Sequence, residues 1–325
     1  MLFTSVFFWI IIFIVCLIGL VKSSDYLTRS AESLGLYIGI SAFVVGIVIV
    51  SIGTSVPELF SSIFSVTSGA SEIVPGLVLG SNIANILLII GVCAIFAKKI
   101  KINYDVLNFD LPLFLASTFL LAIMLFNGIF SFFEGLLCIL FIVVYLYYTV
   151  KISKQAEKKQ VKSPSIQKTM VPLQKTQKPL KALVIFILSA IIIFISSKYL
   201  VESVIQLSGL LNIGKEIIAV SALAVGTSLP ELVVSITLIK KHKPEMAIGN
   251  ILGSNIFNAM GIMGIARLFG TVVVPSSIFA LIIPLFIISA LLYFFMIQDR
   301  QITSIEGAAL IIFYIFFIGS LFYIV

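Results

Sequence analysis

Two carboxylates, Glu58 and Glu231, are set in one phrase written twice. Gly53-Thr54-Ser55-Val56-Pro57-Glu58-Leu59 returns 173 residues later as Gly226-Thr227-Ser228-Leu229-Pro230-Glu231-Leu232, each time inside strongly apolar sequence. A second phrase, Gly80-Ser81-Asn82-Ile83-Ala84-Asn85 against Gly253-Ser254-Asn255-Ile256-Phe257-Asn258, keeps the same offset. An acid deep in apolar surroundings is costly unless it is paired, wet or coordinated. Neither run holds a basic residue to neutralise it. Ser81 and Asn85 are four residues apart, as are Ser254 and Asn258, so on helices each pair shares a face and offers neutral oxygens. Asn82 and Asn255 point away from that face and read as packing residues between helices. Carboxylates, hydroxyls and amides without thiolate or imidazole make a site for hard cations. Calcium accepts six to eight such oxygens in flexible geometry, whereas magnesium prefers to keep several waters. Sodium accepts the same oxygens. One divalent or two monovalent ions would balance the two charges, so the site would couple Ca2+ to Na+ by competition.

The prolines say how these groups reach mid-membrane. Pro57 and Pro230 lack an amide hydrogen and clash with the carbonyl four residues back, Gly53 or Gly226, so each helix should break there. The break is expected to unwind the chain locally and free carbonyls near Ser51 to Thr54 and Ala224 to Thr227, which must then meet protein, water or an ion. Glu58 and Glu231 follow directly, in the first turn of a new half-helix, where a negative charge is favoured.

The elements that position them are membrane helices. With 60% hydrophobic and 11% charged residues and a mean hydropathy of +1.22, the chain has far more apolar surface than a soluble core of this size can hide. The fold class expected is an all-α integral membrane protein. Ten helices are predicted near residues 3–22, 34–67, 74–97, 108–126, 130–150, 181–203, 214–239, 247–267, 276–298 and 303–324. The first run has neither a basic leader nor a small-residue cleavage pattern and is expected to be a retained span. Residues 1–150 form one five-helix repeat, 151–180 a lysine-rich linker and 181–325 a second repeat. Nine lysines against the single acid Glu157 between Lys151 and Lys181 place the linker in the cytoplasm. Eighteen of the 21 basic residues then fall inside, with Lys198, Lys215 and Arg267 outside, and both termini lie outside. An odd number of spans per repeat inverts the second copy, a construction common in secondary transporters with broken helices at the core.

Other chemistries are poorly served. The net charge of +7 is an orientation signal beside anionic lipid and calls for no nucleic-acid partner. Cys16, Cys93 and Cys138 sit in separate spans as packing residues, and His242, the one histidine, follows two lysines at a helix end. A hydrolase built on Ser55 or Ser228 lacks a histidine or buried lysine base, so the chain is not expected to be an enzyme and needs no cofactor. A Ca2+/H+ exchanger, or an exchanger of Mg2+ or another divalent cation, with the same fold stays open as the nearer alternative at this point, and a cation channel with a glutamate ring as the more distant one.

The paired phrases resemble the alpha repeats of the cation/calcium exchanger superfamily, and within it the Na+/Ca2+ exchangers of minimal prokaryotic type. The resemblance covers nearly the whole chain. It implies a ten-helix antiporter in a prokaryotic cell membrane, usually exchanging three Na+ for one Ca2+ by alternating access, with electrogenic transport. It implies Glu58 and Glu231 as shared carboxylate ligands and Thr54, Ser55, Thr227 and Ser228 as hydroxyl and carbonyl ligands. Ser81, Asn85, Ser254 and Asn258 would form a flanking polar ring, and the carbonyls of Ser51 and Ala224 further ligands. The first and sixth helices would be the moving pair. Asn258 stands where some relatives, including the potassium-dependent branch, carry aspartate, so no K+ co-transport is expected. Leu77 stands where the second copy has Asn250, so the first repeat should pack or gate differently there. A linker of about thirty residues is too short for an inserted sensing domain.

Overall fold

A computed structural model describes residues 2–38, 49–101, 110–160, 179–241 and 243–321. His242 and linker residues 161–178 lie outside the described residues. The first half comprises α1 (Leu2–Tyr37), α2 (Val50–Thr54), α3 (Val56–Thr67), α4 (Ile73–Ala97), β1 (Lys99–Lys101), α5 (Leu111–Leu125), β2 (Ile129–Phe130) and α6 (Phe132–Gln160). The second comprises α7 (Pro179–Leu211), α8 (215–227), α9 (Leu229–Lys240), α10 (244–268), β3 (Val272–Val273), α11 (Ile278–Asp299), β4 (Gln301–Thr303) and α12 (Ser304–Leu321). Among the described residues, eight helical runs are long and apolar enough to cross a membrane, Leu111–Leu125 is a shorter apolar helix, and α2 with α3 forms the broken rod matching α8 with α9.

Two predicted boundaries are corrected. The first helix does not stop at residue 22 but runs to Tyr37. Its extension is amphipathic: Leu20, Ser23, Ser24, Leu27 and Thr28 form a buried stripe, while Arg29 reaches back one turn to Asp25 at 2.8 Å on the open face. At 36 residues α1 is about 54 Å long, well beyond the roughly 30 Å apolar layer, so it crosses tilted or projects. Its counterpart α7, with 33 residues, lies against it. The fifth predicted helix likewise runs past residue 150, to Gln160, and takes the first ten residues of the lysine-rich stretch into its last turns.

The centre is α4 and α10, each with 83% of its most apolar stretch buried, against 28% in α6, α7 and α12. The outer helices instead turn Phe133, Leu140, Val143, Ile191, Ile195, Ile312 and Phe316 outward, a surface suited to lipid. At the rims, β1 pairs antiparallel with β4 and β2 with β3, so each short ribbon joins the two halves. Beyond α4 the internal correspondence continues one residue shorter: Leu111-Pro112-Leu113-Phe114 matches Ile283-Pro284-Leu285-Phe286, an offset of 172. The same offset relates two capping boxes. Ser131 N–H donates to Glu134 at 2.6 Å and Thr303 N–H to Glu306 at 2.7 Å, each acid starting its helix.

Candidate ion site

Each broken rod is interrupted at one residue. Ser55 (φ −89°, ψ 6°) and Ser228 (φ −82°, ψ 0°) hold bridge-region turns, and Pro57 and Pro230 open the half-helices that follow. The expected unwinding over several residues is therefore not what forms. Residues 50–54 and 224–227 stay helical, because one turn residue is enough to remove the proline clash. The Gly53 carbonyl that Pro57 strands is taken by the Ser24 hydroxyl of α1 at 3.0 Å. Ala224 O accepts Ser228 N–H at 3.1 Å and is thus largely committed to backbone. Ser51 O receives two hydroxyls, Thr54 and Ser254, both at 3.2 Å.

The carboxylates cross over between the halves. Glu58 is fully buried, faces Thr227 and Ser228 of the other repeat, and among the described residues has no hydrogen-bond partner on either oxygen. Glu231, equally buried, accepts a hydrogen bond from Ser55 Oγ at 3.0 Å on Oε1 and has Thr54 and Ser254 nearby, while Oε2 is unpartnered. Each acid is close enough to sense the other's charge. Thr54 and Ser254 hydroxyls lie 3.4 Å apart across the repeats, and Thr227 Oγ1 bonds back to Leu223 O at 3.1 Å. The oxygens of Ser81, Ser228, Asn85 and Asn258 are buried without partners. A shell of orphaned acceptors around two buried carboxyl groups with no ion-pair partner among the described residues is what a stripped cation requires. Ser55→Ala should therefore raise the Ca2+ concentration for half-maximal transport about tenfold, read from initial uptake rates, since the hydroxyl aligns an ionised acceptor.

Sequence reasoning missed the local helix geometry. Both Asn85 and Asn258 sit in π-helical segments, Ala84–Ile89 and Phe257–Ile262, whose extra residue per turn re-aims side chains at the centre. Asn255 packs between the helices as expected and hydrogen-bonds there: it accepts Asn82 Nδ2 on its carbonyl at 3.1 Å and Asn85 Nδ2 on Oδ1 at 2.9 Å. That clasp leaves Asn85 Oδ1 buried and without a hydrogen-bond partner among the described residues.

Residues 8–151 and 181–323 both match the family described as sodium/calcium exchanger protein. The chain belongs to the sodium/calcium exchanger family. This exchanger is 34% identical to the sodium/calcium exchanger MaX1 of Methanosarcina acetivorans, covering 96% of this chain and 99% of that one. It is 32% identical to the inner membrane protein YrbG of Escherichia coli K12 over 78% of each. The solved sodium-calcium exchanger NCX_Mj, in crystals soaked with Na+ and Sr2+, superposes with a TM-score of 0.67 at 26% identity, covering 97% of this chain and 99% of that one. The exchanger is thus a multi-pass membrane cation/Ca2+ antiporter with the NCX_Mj fold, and not an enzyme.

Proposed function

We propose that this exchanger moves Ca2+ against Na+ through the shell between the two broken rods, with Glu58 and Glu231 as the charged ligands. The observation that carries the reading is Glu58, wholly buried with both oxygens unpartnered and facing the opposite repeat. Thr54, Ser55, Thr227 and Ser228 supply hydroxyls, Ser81, Asn85, Ser254 and Asn258 the flanking oxygens, and Ser51 O a carbonyl. Ala224 O, already bonded to Ser228 N–H, is the weakest member of the set. Once bound ions offset the two carboxylate charges, α1 with α7 can slide past the shell. Empty, it holds two bare carboxylates that resist a low-dielectric passage. Exchange is obligate for that reason, and with more than two Na+ per Ca2+ it is electrogenic. Asn258 supplies an amide where an acid would add a third charge, so transport needs no K+. The lysine-rich linker faces the cytoplasm and both termini lie outside.

The test is Ca2+ uptake into Na+-loaded proteoliposomes at clamped potential, with choline, Na+ or K+ outside, and separately with an imposed proton gradient. Uptake should need the outward Na+ gradient, ignore K+ and the proton gradient, and respond to potential. Proton-driven uptake would keep the fold and replace the coupling; uptake without any counter-ion would point to a channel.

A further inference from the structure

Asp110 is a buried-edge carboxylate that the ion shell does not use. It stands immediately before α5, and Tyr145 Oη of α6 donates to its Oδ1 at 3.4 Å. Tyr293 of α11 is fully buried, its hydroxyl has no partner, and it lies within electrostatic reach of the Asp110 carboxylate. Tyr145 Oη in turn sits over Gly253, 3.6 Å from where a Cβ would stand, and Ser51 Oγ approaches the same point at 3.0 Å. Between them lies a mostly apolar cavity that Ser51, Tyr145 and Thr149 line together with Gly253, Phe257 and three aliphatic side chains, and its interior of about 10 Å³ is the lower limit for one water. Ser51 Oγ donates to Asn250 Oδ1 at 3.4 Å, and Ser51 O meets Thr54 and Ser254. Oxygen atoms therefore run from Asp110 to the ring around Glu231.

The duplication supplies the comparison. The counterparts of Asp110, Tyr145, Tyr293, Ser51 and Asn250 are Ile282, Phe317, Leu121, Ala224 and Leu77. All five are apolar and buried. The Tyr145 counterpart is the same ring without its hydroxyl. The Leu77 for Asn250 difference is thus one part of a wider asymmetry: the oxygens that lead from Ser51 to Asp110 are not repeated at the matching positions of the other half.

We propose that Asp110, aligned by Tyr145, is an approach site for hard cations, serving the face at which the lysine-rich linker lies and not repeated at the matching positions Ile282 and Phe317 of the other half. A carboxylate beside a hydroxyl attracts Na+ or Ca2+ before either reaches the shell, and Ser51 and Asn250 receive the ion next. The inference rests on the antiport reading above. Its test is the Ca2+ half-saturation measured from each face of oriented proteoliposomes, driven by whichever counter-ion supports exchange, so that a failure of Na+ coupling changes only the driving ion. Asp110→Asn should raise half-saturation from the linker face about fivefold and leave the opposite face within about twofold. Tyr145→Phe, which copies the other repeat, should shift the same face by a smaller factor, and Asp110→Glu should restore most of the affinity. Equal shifts from both faces, or none from the linker face in a folded, monodisperse variant, would overturn the proposal.

Discussion

Glu58→Gln should reduce Ca2+ exchange at least about a hundredfold while leaving the folded protein intact. The substitution is isosteric, so nothing repacks around a side chain that is fully buried. What changes is one charge and one acceptor at a place where neither oxygen has a protein partner. Removing one member of a buried charge set costs about 3–5 kcal/mol, which is more than two orders of magnitude in affinity. Stability should move the other way. An uncompensated buried carboxylate disfavours the ion-free fold, so the glutamine form should melt no earlier than the parent in the absence of Ca2+ and Na+. The parent should gain thermal stability when Ca2+ is added, by mass action, and the variant should lose that gain. Glu231→Gln should behave alike in transport, although Ser55 can still donate to its amide oxygen. Exchange within tenfold of the parent in both variants would falsify the placement of the ion shell.

Gly80→Ala should cost stability and transport together. A Cβ at Gly80 would stand 2.5 Å from Val220 O, 2.7 Å from Val220 Cα and 2.9 Å from Ala224 Cβ. These atoms belong to α8, two of them to backbone, so no rotamer change relieves the contact. α4 and α8 must separate, and α8 carries Thr227 and Ser228 toward Glu58. Overpacking of this kind costs about 1–3 kcal/mol. Each kcal/mol lowers the midpoint of unfolding by about 2–4 °C in domains of a few hundred residues. Gly249→Ala is the matching control, because nothing lies within 4 Å of its added methyl. A Gly80→Ala protein that melts with the Gly249→Ala control and transports normally would show that the two helices are not packed as described.

The site was readable in the sequence wherever the duplication repeated a chemical phrase. Prolines 57 and 230 announced the breaks, and the acids after them announced charge at the centre, because both follow from local covalent structure. What lay beyond the sequence depends on which helix meets which. No periodicity distinguishes the π-segments at Asn85 and Asn258 from ordinary helix, since a single extra residue leaves the apolar pattern unbroken. The length of α1 was hidden because Ser23, Ser24 and Thr28 look like a polar loop until their burial against α2 and α7 is seen. Ser24 could be assigned to the Gly53 carbonyl only from coordinates. Asp110 and Tyr145 lie 35 residues apart and carry no motif. Their one trace was the mismatch between Leu77 and Asn250.

The small ribbons at the rims cannot close until the second half has been made. Lys99 of β1 finds its partner in Thr303 of β4, about two hundred residues later in the chain. At about 5–20 residues per second of synthesis, the first strand waits roughly 10–40 s before the second exists. During that interval Ser55 has no Glu231 to donate to, Asn82 and Asn85 have no Asn255, and Glu58 has no opposite repeat to face. The newborn first half is thus a bundle with a polar seam open to lipid or to the insertion machinery. The second half closes that seam on arrival, so a chain halted after α6 should be held by the machinery or degraded and should not persist as a free half-exchanger.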